Sequence, residues 1–257
     1  MELERPVYAI GDVHGRADLL RPLLAAIEEG ATGQVPRVIF LGDIIDRGPD
    51  SKEALELVDD ALDRFPGSQL ILGNHDEYFL LALEGLLTDT DAFEWLEGNG
   101  GHATIQSYAP GSRPTVGQFA AFIREYYTHH HSLLKSAVDK VLIGSHCFVH
   151  AGIRPGVPLD VQNSSDLRWI RDEFLNHPGQ FEKIIVHGHT PTETDLPEIY
   201  PNRIAVDTGA YATGRLTAAV FKKDIAPRFI CTTERSAGTV DVEHLSAEQA
   251  IPLLPTV

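Results

Sequence analysis

The chain has 257 residues, with 37 acidic and 21 basic side chains and a net charge of −16. Its length fits one large domain or two small ones, and 43 % hydrophobic with 23 % charged residues excludes disorder, collagen and coiled coil. The charge opposes non-specific binding to nucleic acid or an anionic membrane, so any phosphate site must bring its own positive charge. No apolar run approaches the roughly 18 residues of a membrane span. The charged start, Met1-Glu2-Leu3-Glu4-Arg5, lacks a following signal-peptide core, and a cytoplasmic protein is expected. Cys147 and Cys231 are too few for a disulfide framework and read as small buried hydrophobes.

In chain order, Val7-Tyr8-Ala9-Ile10 is an apolar run ending at Gly11, the pattern of a buried strand. Residues 16–29 follow with helical periodicity, Leu19, Leu20, Leu23, Leu24 and Ile27 sharing a face. Strands are predicted at 37–41 and 69–72, ending at Gly42 and Gly73. Helices are predicted at 51–65, capped by Asp50 or Ser51, and at 75–86. This βαβαβα rhythm predicts parallel strands covered by helices. Further on, 92–97 and 116–127 read as helices, 138–149 as two strands or one bent one, and 165–175 as a helix capped by Ser164 or Ser165. Strands close the pattern at 183–186, 203–206 and 216–222. No low-complexity linker divides the chain, so residues 1–257 read as one domain, with 236–257 a peripheral appendage.

The first three strands all run into glycine and then polar residues: Gly11-Asp12-Val13-His14-Gly15, Gly42-Asp43-Ile44-Ile45-Asp46-Arg47-Gly48 and Gly73-Asn74-His75-Asp76. Ligand sites in α/β sheets gather at the carboxyl ends of strands. Two more histidines follow apolar runs, His150 before Ala151-Gly152 and His189 in Gly188-His189-Thr190. Singly, each motif is an ordinary turn or a satisfied histidine. Pooled, two aspartates, an asparagine and several histidines suit a borderline or hard divalent ion such as Mn, Fe or Zn. They exceed what one ion needs, and with one bridging aspartate would serve two ions about 3.5–4 Å apart. Such a pair can hold a hydroxide at neutral pH and clamp a phosphate for in-line attack.

GDVHG, GDIIDRG and GNHD, followed by HAG and GHT, resemble the calcineurin-like metallophosphoesterases. The likeness is greatest to the phosphoprotein phosphatase family with its bacterial and phage members. It spans about residues 7–216 and includes WLEGNGG at 95–101, Trp169-Ile170-Arg171 and Asp207-Thr208-Gly209-Ala210. The resemblance implies an α/β fold, a central β-sandwich of mixed sheets flanked by helices, with a dimetal site at the strand ends. It implies that Asp12 and His14 bind the first metal, that Asp43 bridges, and that Asn74, His150 and His189 complete the second. Manganese is the expected ion, with iron or zinc as alternatives. His75 matches a general acid, Asp46 the carboxylate that orients it, and Arg47 a phosphate-binding arginine. Arg171 matches a second arginine, with Arg168 as runner-up, and His187 is expected just behind the ligands.

The activity implied is hydrolysis of phosphomonoesters, first of phosphoserine or phosphothreonine in proteins. The alternative is symmetrical cleavage of dinucleoside tetraphosphates by related enzymes that share GDVHG and LGNHD. Those enzymes lack the aspartate before Arg-Gly that this chain keeps as Asp46, which favours the phosphatase. Three departures from the eukaryotic or phage patterns place protein-substrate specificity in question: Asp76 for glutamate, Leu72 for an arginine, and Ala151 after His150. The tract His129-His130-His131 reads as a solvated loop, and Asn99-Gly100-Gly101 as a turn beside the site.

Overall fold

The computed structural model describes residues 5–31, 33–235 and 238–250. The expectations at residues 1–4, 236–237 and 251–257 lie outside that set. Chain order gives β1 (Val7–Ile10), α1 (Ala17–Gly30), β2 (Arg37–Phe40), α2 (Ser51–Arg64), β3 (Gln69–Leu70) and α3 (Asn74–Glu84). Then come α4 (Asp89–Phe93), a π-helical turn (Glu94–Gly98), α5 (Gly101–Tyr108), α6 (Val116–Tyr126) and α7 (Thr128–Ser136). The second half holds β4 (Lys140–Ile143), β5 (His146–Val149), α8 (Ser164–Trp169), α9 (Asp172–Leu175), β6 (Ile184–His187), β7 (Glu198–Ile199) and β8 (Arg203–Ala205). It closes with α10 (Ala210–Thr213), β9 (Arg215–Lys222), β10 (Ile225–Glu234) and β11 (Val240–Leu245).

Two mixed sheets form, ordered β11-β10-β9-β1-β2-β3 and β4-β5-β6-β8-β7. Strand alternation sorts the residues into layers. Val7, Ala9, Ile39 and Phe221 of the first sheet meet Val141, Phe148, Val186 and Ile204 of the second in the sandwich core. The alternate residues Tyr8, Ile10, Val38 and Phe40 face the helices, with Leu20 and Leu23 of α1 and Leu55 and Val58 of α2. On the far face of the second sheet, Cys147, Val149 and Ile185 pack on Leu167, Ile170 and Phe174. Burying residues on both faces is why β1, residues 38–40 of β2 and residues 184–186 of β6 are unbroken apolar runs. No helix among the described residues is long and apolar enough to cross a membrane.

Several boundaries differ from expectation for identifiable reasons. The third strand stops at Leu70, because Val138 captures the chain: its amide donates to Leu70 O and its carbonyl accepts from Leu72 N (both 3.0 Å). The helix expected at 165–175 breaks into α8 and α9, with Ile170 extended, and the side chain that caps α8 is Asn163, not Ser164 or Ser165. The stretch read as an appendage supplies β11, which pairs with β10 from Phe229 to Glu234. The three histidines belong to helix α7, not to a loop, and His130 is buried. Asp50 does cap α2, accepting from Glu53 N.

Both cysteines are buried and free. Burial pushes the Cys147 thiol up to about 12 and raises that of Cys231 as well. Because the thiolate is the reactive form, neither should react with Ellman's reagent in the folded protein. Both should titrate at once in denaturant, which a simple absorbance assay checks.

Candidate metal centre

Five loops at the strand ends converge on Asp43. One of its oxygens, Oδ2, lies 3.7 Å from His14 Nε2, 3.9 Å from His75 Nε2 and 3.4 Å from His150 Nε2. Its Oδ1 accepts from the His75 amide (2.9 Å) in the first turn of α3. Two donor groups share this carboxylate: His14, Asp43 and His75, and Asp43, His150 and His189. Asn74 Oδ1 sits between His150 Nε2 (2.9 Å) and His189 Nδ1 (2.8 Å). Asp12 belongs to neither group, and both of its oxygens accept from the His189 amide (3.0 and 3.1 Å).

The backbone is bent to achieve this. His14, Asp43, Asp46, Arg47 and His189 all have positive φ, between 46° and 72°. That conformation is uncommon for residues with a Cβ, and strain of this kind concentrates at functional sites. Close packing of the loops explains two glycines. A Cβ on Gly42 would lie 2.6 Å from Gly73 N, and one on Gly188 would lie 2.1 Å from Asp12 Oδ1. Gly188→Ala must therefore displace the Asp12 carboxylate or the His189 turn. A loss of about 1–3 kcal/mol in stability is expected from such overpacking, read as a lowered Tm against wild type.

Electrostatics and donor chemistry fit divalent cations. Asp12, Asp43, Asp76 and Asp207 are all buried here. Burial, then Asp207, raises Asp12 well above the usual carboxylate range. Burial, then Asp43, brings Asp76 to about 7, and burial chiefly brings Asp207 to about 6. Burial pushes Asp43 up too, but His150 and then His75 outweigh it and hold its pKa well below normal. Such a concentration of buried carboxylate calls for compensating positive charge. The imidazoles are set as ligands. His14 Nδ1 and His150 Nδ1 each lie 2.8 Å from a backbone carbonyl, of Ile45 and Leu41, that can only accept. The His14 proton is thereby fixed on Nδ1 and its Nε2 lone pair faces the cluster. His150 Nε2, beside Asn74 Oδ1 and Asp43 Oδ2, carries a proton that a bound cation would displace: burial lowers its pKa, but Asp43 outweighs that and brings it to about 9. Burial lowers His14 to about 3, keeping it neutral. His189 Nε2 is buried without a hydrogen-bond partner.

Beside this cluster lies a second constellation. His75 Nδ1 donates to Asp46 Oδ2 (2.8 Å), so its Nε2 points at the cluster. Asp46 is fully buried and also accepts from Trp95 Nε1 on Oδ2 (2.9 Å) and from Thr104 Oγ1 on Oδ1 (2.6 Å). Trp95 sits in the π-helical turn, an irregularity frequent at functional sites. Burial raises the Asp46 pKa, and its three donors partly offset the rise.

Two arginines flank the cluster. Arg47 donates to His14 Nε2 (3.0 Å), lies over the Tyr211 ring (4.6 Å), and has its amide on the carbonyl of Gly100 (3.3 Å). Arg171 is exposed at the break between α8 and α9 and donates to Thr190 Oγ1 (3.1 Å), next to His189. Arg168 is engaged by Glu77 and Asp139. His187, expected just behind the ligands, points to the other face of β6. Its ring meets Phe174 edge-on at 5.0 Å, and it makes no hydrogen bond to a ligand. Trp95, Thr104, Tyr211, Asp76 and Asp207 join the site without having been singled out as members. Trp95, Asp76 and Asp207 stand in motifs already noted, and no spacing rule links Thr104 or Tyr211 to it.

A polar centre of this kind, on strand ends of a two-sheet sandwich, is the arrangement of hydrolases that act on phosphoesters. The family model for calcineurin-like phosphoesterases matches residues 5–226, and the chain belongs to that family. It is 32 % identical over 195 residues to a symmetrical bis(5'-nucleosyl)-tetraphosphatase of Coxiella burnetii, covering 71 % of this chain and 58 % of that one. It is 24 % identical over 226 residues to serine/threonine-protein phosphatase 2 of Salmonella typhimurium, covering 84 % and 93 %. Among solved structures, a candidate diadenosine tetraphosphatase superposes with a TM-score of 0.56 at 20 % identity over 94 % of each chain. A cold-active protein-tyrosine phosphatase of a Shewanella species superposes with a TM-score of 0.55 at 20 % identity, over 94 % of this chain and 80 % of that one. These two likenesses speak to the fold.

Proposed function

We propose that the protein is a two-metal phosphomonoesterase, with phosphoserine and phosphothreonine in proteins as its first substrate class. The observation that carries this reading is the His75–Asp46 pair, clamped by Trp95 and Thr104 and aimed at the cluster. A serine or threonine alkoxide leaves poorly and needs a proton as it departs. Asp12, His14, Asp43, Asn74, His150 and His189 would hold the ions, manganese before iron or zinc. When bound, these supply a low-pKa water and neutralise charge on the phosphoryl group. Arg47 and Arg171 grip the phosphoryl oxygens with planar, bidentate geometry. As water adds to phosphorus and the phosphorus–oxygen bond breaks, His75 Nε2 gives its proton to the leaving oxygen. Asp46 keeps the ring oriented through Nδ1. The whole chain would work as one domain, with β11 closing the sheet edge.

The second reading is symmetrical hydrolysis of dinucleoside tetraphosphates, supported by 32 % identity to a tetraphosphatase. Its leaving group is itself a phosphate and needs protonation less. The test compares kcat/KM of the manganese-loaded protein on a phosphothreonine peptide and on diadenosine tetraphosphate. Higher kcat/KM on the peptide supports the phosphatase. Higher kcat/KM on the dinucleotide transfers the assignment to nucleotide hydrolysis.

A further inference from the structure

Outside the centre, a third group of metal-ligating side chains is drawn together by α2 and α7. Glu56, His129 and His130 each offer a ligand atom, all within 4.8 Å of one another. Glu56 carboxylate oxygens lie 3.2 Å from His129 Nε2 and 3.3 Å from His130 Nε2. The two imidazole rings are only 4.2 Å apart. His130 is 0 % exposed, and its Nε2 faces Glu56 without making a hydrogen bond. Its other nitrogen, Nδ1, is bonded to the Tyr108 hydroxyl at the end of α5. That is how a ligating histidine is held: one nitrogen pinned by an outer partner, the other free to coordinate. Asp59, one turn further along α2, is close enough to His129 to interact with it electrostatically. Lys52, one turn before Glu56, is turned onto the Tyr127 ring (5.0 Å).

We propose that Glu56, His129 and His130 form a peripheral site for one divalent transition-metal ion of the zinc class. Two imidazoles and one carboxylate are a common protein ligand set for zinc, with water or a further carboxylate such as Asp59 completing a tetrahedron. A cation between the rings suits their closeness: protonating both at 4.2 Å would set like charges against each other, whereas one ion uses both lone pairs. Without an ion, the contact between Glu56 and His129 is a half-exposed pairing of little energetic weight. The site ties α2 to α7, and through Tyr108 it reaches α5, the helix that carries Thr104 against Asp46. Its occupant would brace the wall behind the acid pair without touching substrate.

The test is zinc and cobalt binding by equilibrium dialysis with metal analysis, on wild type, Glu56→Gln and His129→Gln. Both side chains are about two-fifths exposed, so neither change threatens the fold. Each variant should bind about one equivalent less zinc per chain than wild type, and lose part of the intense visible absorption of tetrahedral cobalt. Both should keep their phosphoesterase activity with manganese. Equal zinc stoichiometry and identical cobalt spectra in all three proteins would overturn the proposal. The comparison is a difference between proteins with intact centres, so it holds whatever the number of ions bound at the centre.

Discussion

Asp43→Asn should reduce turnover on every phosphoester by on the order of 10³-fold or more, the several kcal/mol that metal-assisted stabilisation contributes. The reason is positional. Asp43 Oδ2 is the atom that the His14, His75 and His150 nitrogens all approach, within 3.4–3.9 Å. With its one amide oxygen kept on the His75 amide, asparagine turns toward the cluster an NH₂ group, which has no lone pair to offer a cation, where Asp43 presents the anionic Oδ2. Oδ1 has a second task, accepting from the His75 amide at the start of α3, which the amide oxygen of asparagine can still perform. The variant should therefore keep its far-UV circular dichroism while losing the manganese-dependent rise in Tm. A variant that loses activity but shows the wild-type rise in Tm would place the bridging role elsewhere.

His75→Asn should behave in the opposite way, sparing metal binding and removing proton transfer. General-acid catalysis contributes about 10²–10⁴-fold, and the loss should scale with how badly the leaving group needs a proton. A phosphothreonine peptide should lose that full factor, while p-nitrophenyl phosphate, whose nitrophenolate leaves unaided, should lose far less. Asp46→Asn should reproduce the pattern in weaker form, because Trp95 and Thr104 would still hold the side chain but His75 would lose its anionic partner. Equal losses on both substrates in His75→Asn would remove the acid role from this residue.

Much of the centre was legible because glycine punctuation marks it. The first three apolar runs each lead into a glycine, Gly42 packs against Gly73 where two loops approach, and the polar residues just beyond these glycines are among those that converge. The two-sided burial of β1 and of residues 38–40 of β2 also shows in the sequence, as unbroken apolar runs. What stayed hidden depends on long-range packing. The partners of Asp46, Trp95 and Thr104, lie 49 and 58 residues away, and although Trp95 opens a recognised motif, nothing in the sequence joins either residue to Asp46. His187 shares its motif with His189, yet strand alternation turns it to the opposite face, against Phe174. The helix expected at 165–175 reads as continuous, but it breaks at Ile170 and Arg171, which frees Arg171 to reach Thr190. The histidine tract looked solvated because its periodicity is polar. Only the fold reveals that α7 buries the middle residue, His130, against Tyr108.

The central claim is that two ions share Asp43. Anomalous diffraction from crystals of the manganese-loaded protein tests it most directly. The account predicts two peaks about 3.5–4 Å apart, with Asp43 between them, one beside Asp12 and His14 and the other beside Asn74, His150 and His189. A single peak at the centre, or two that do not share Asp43, would contradict it.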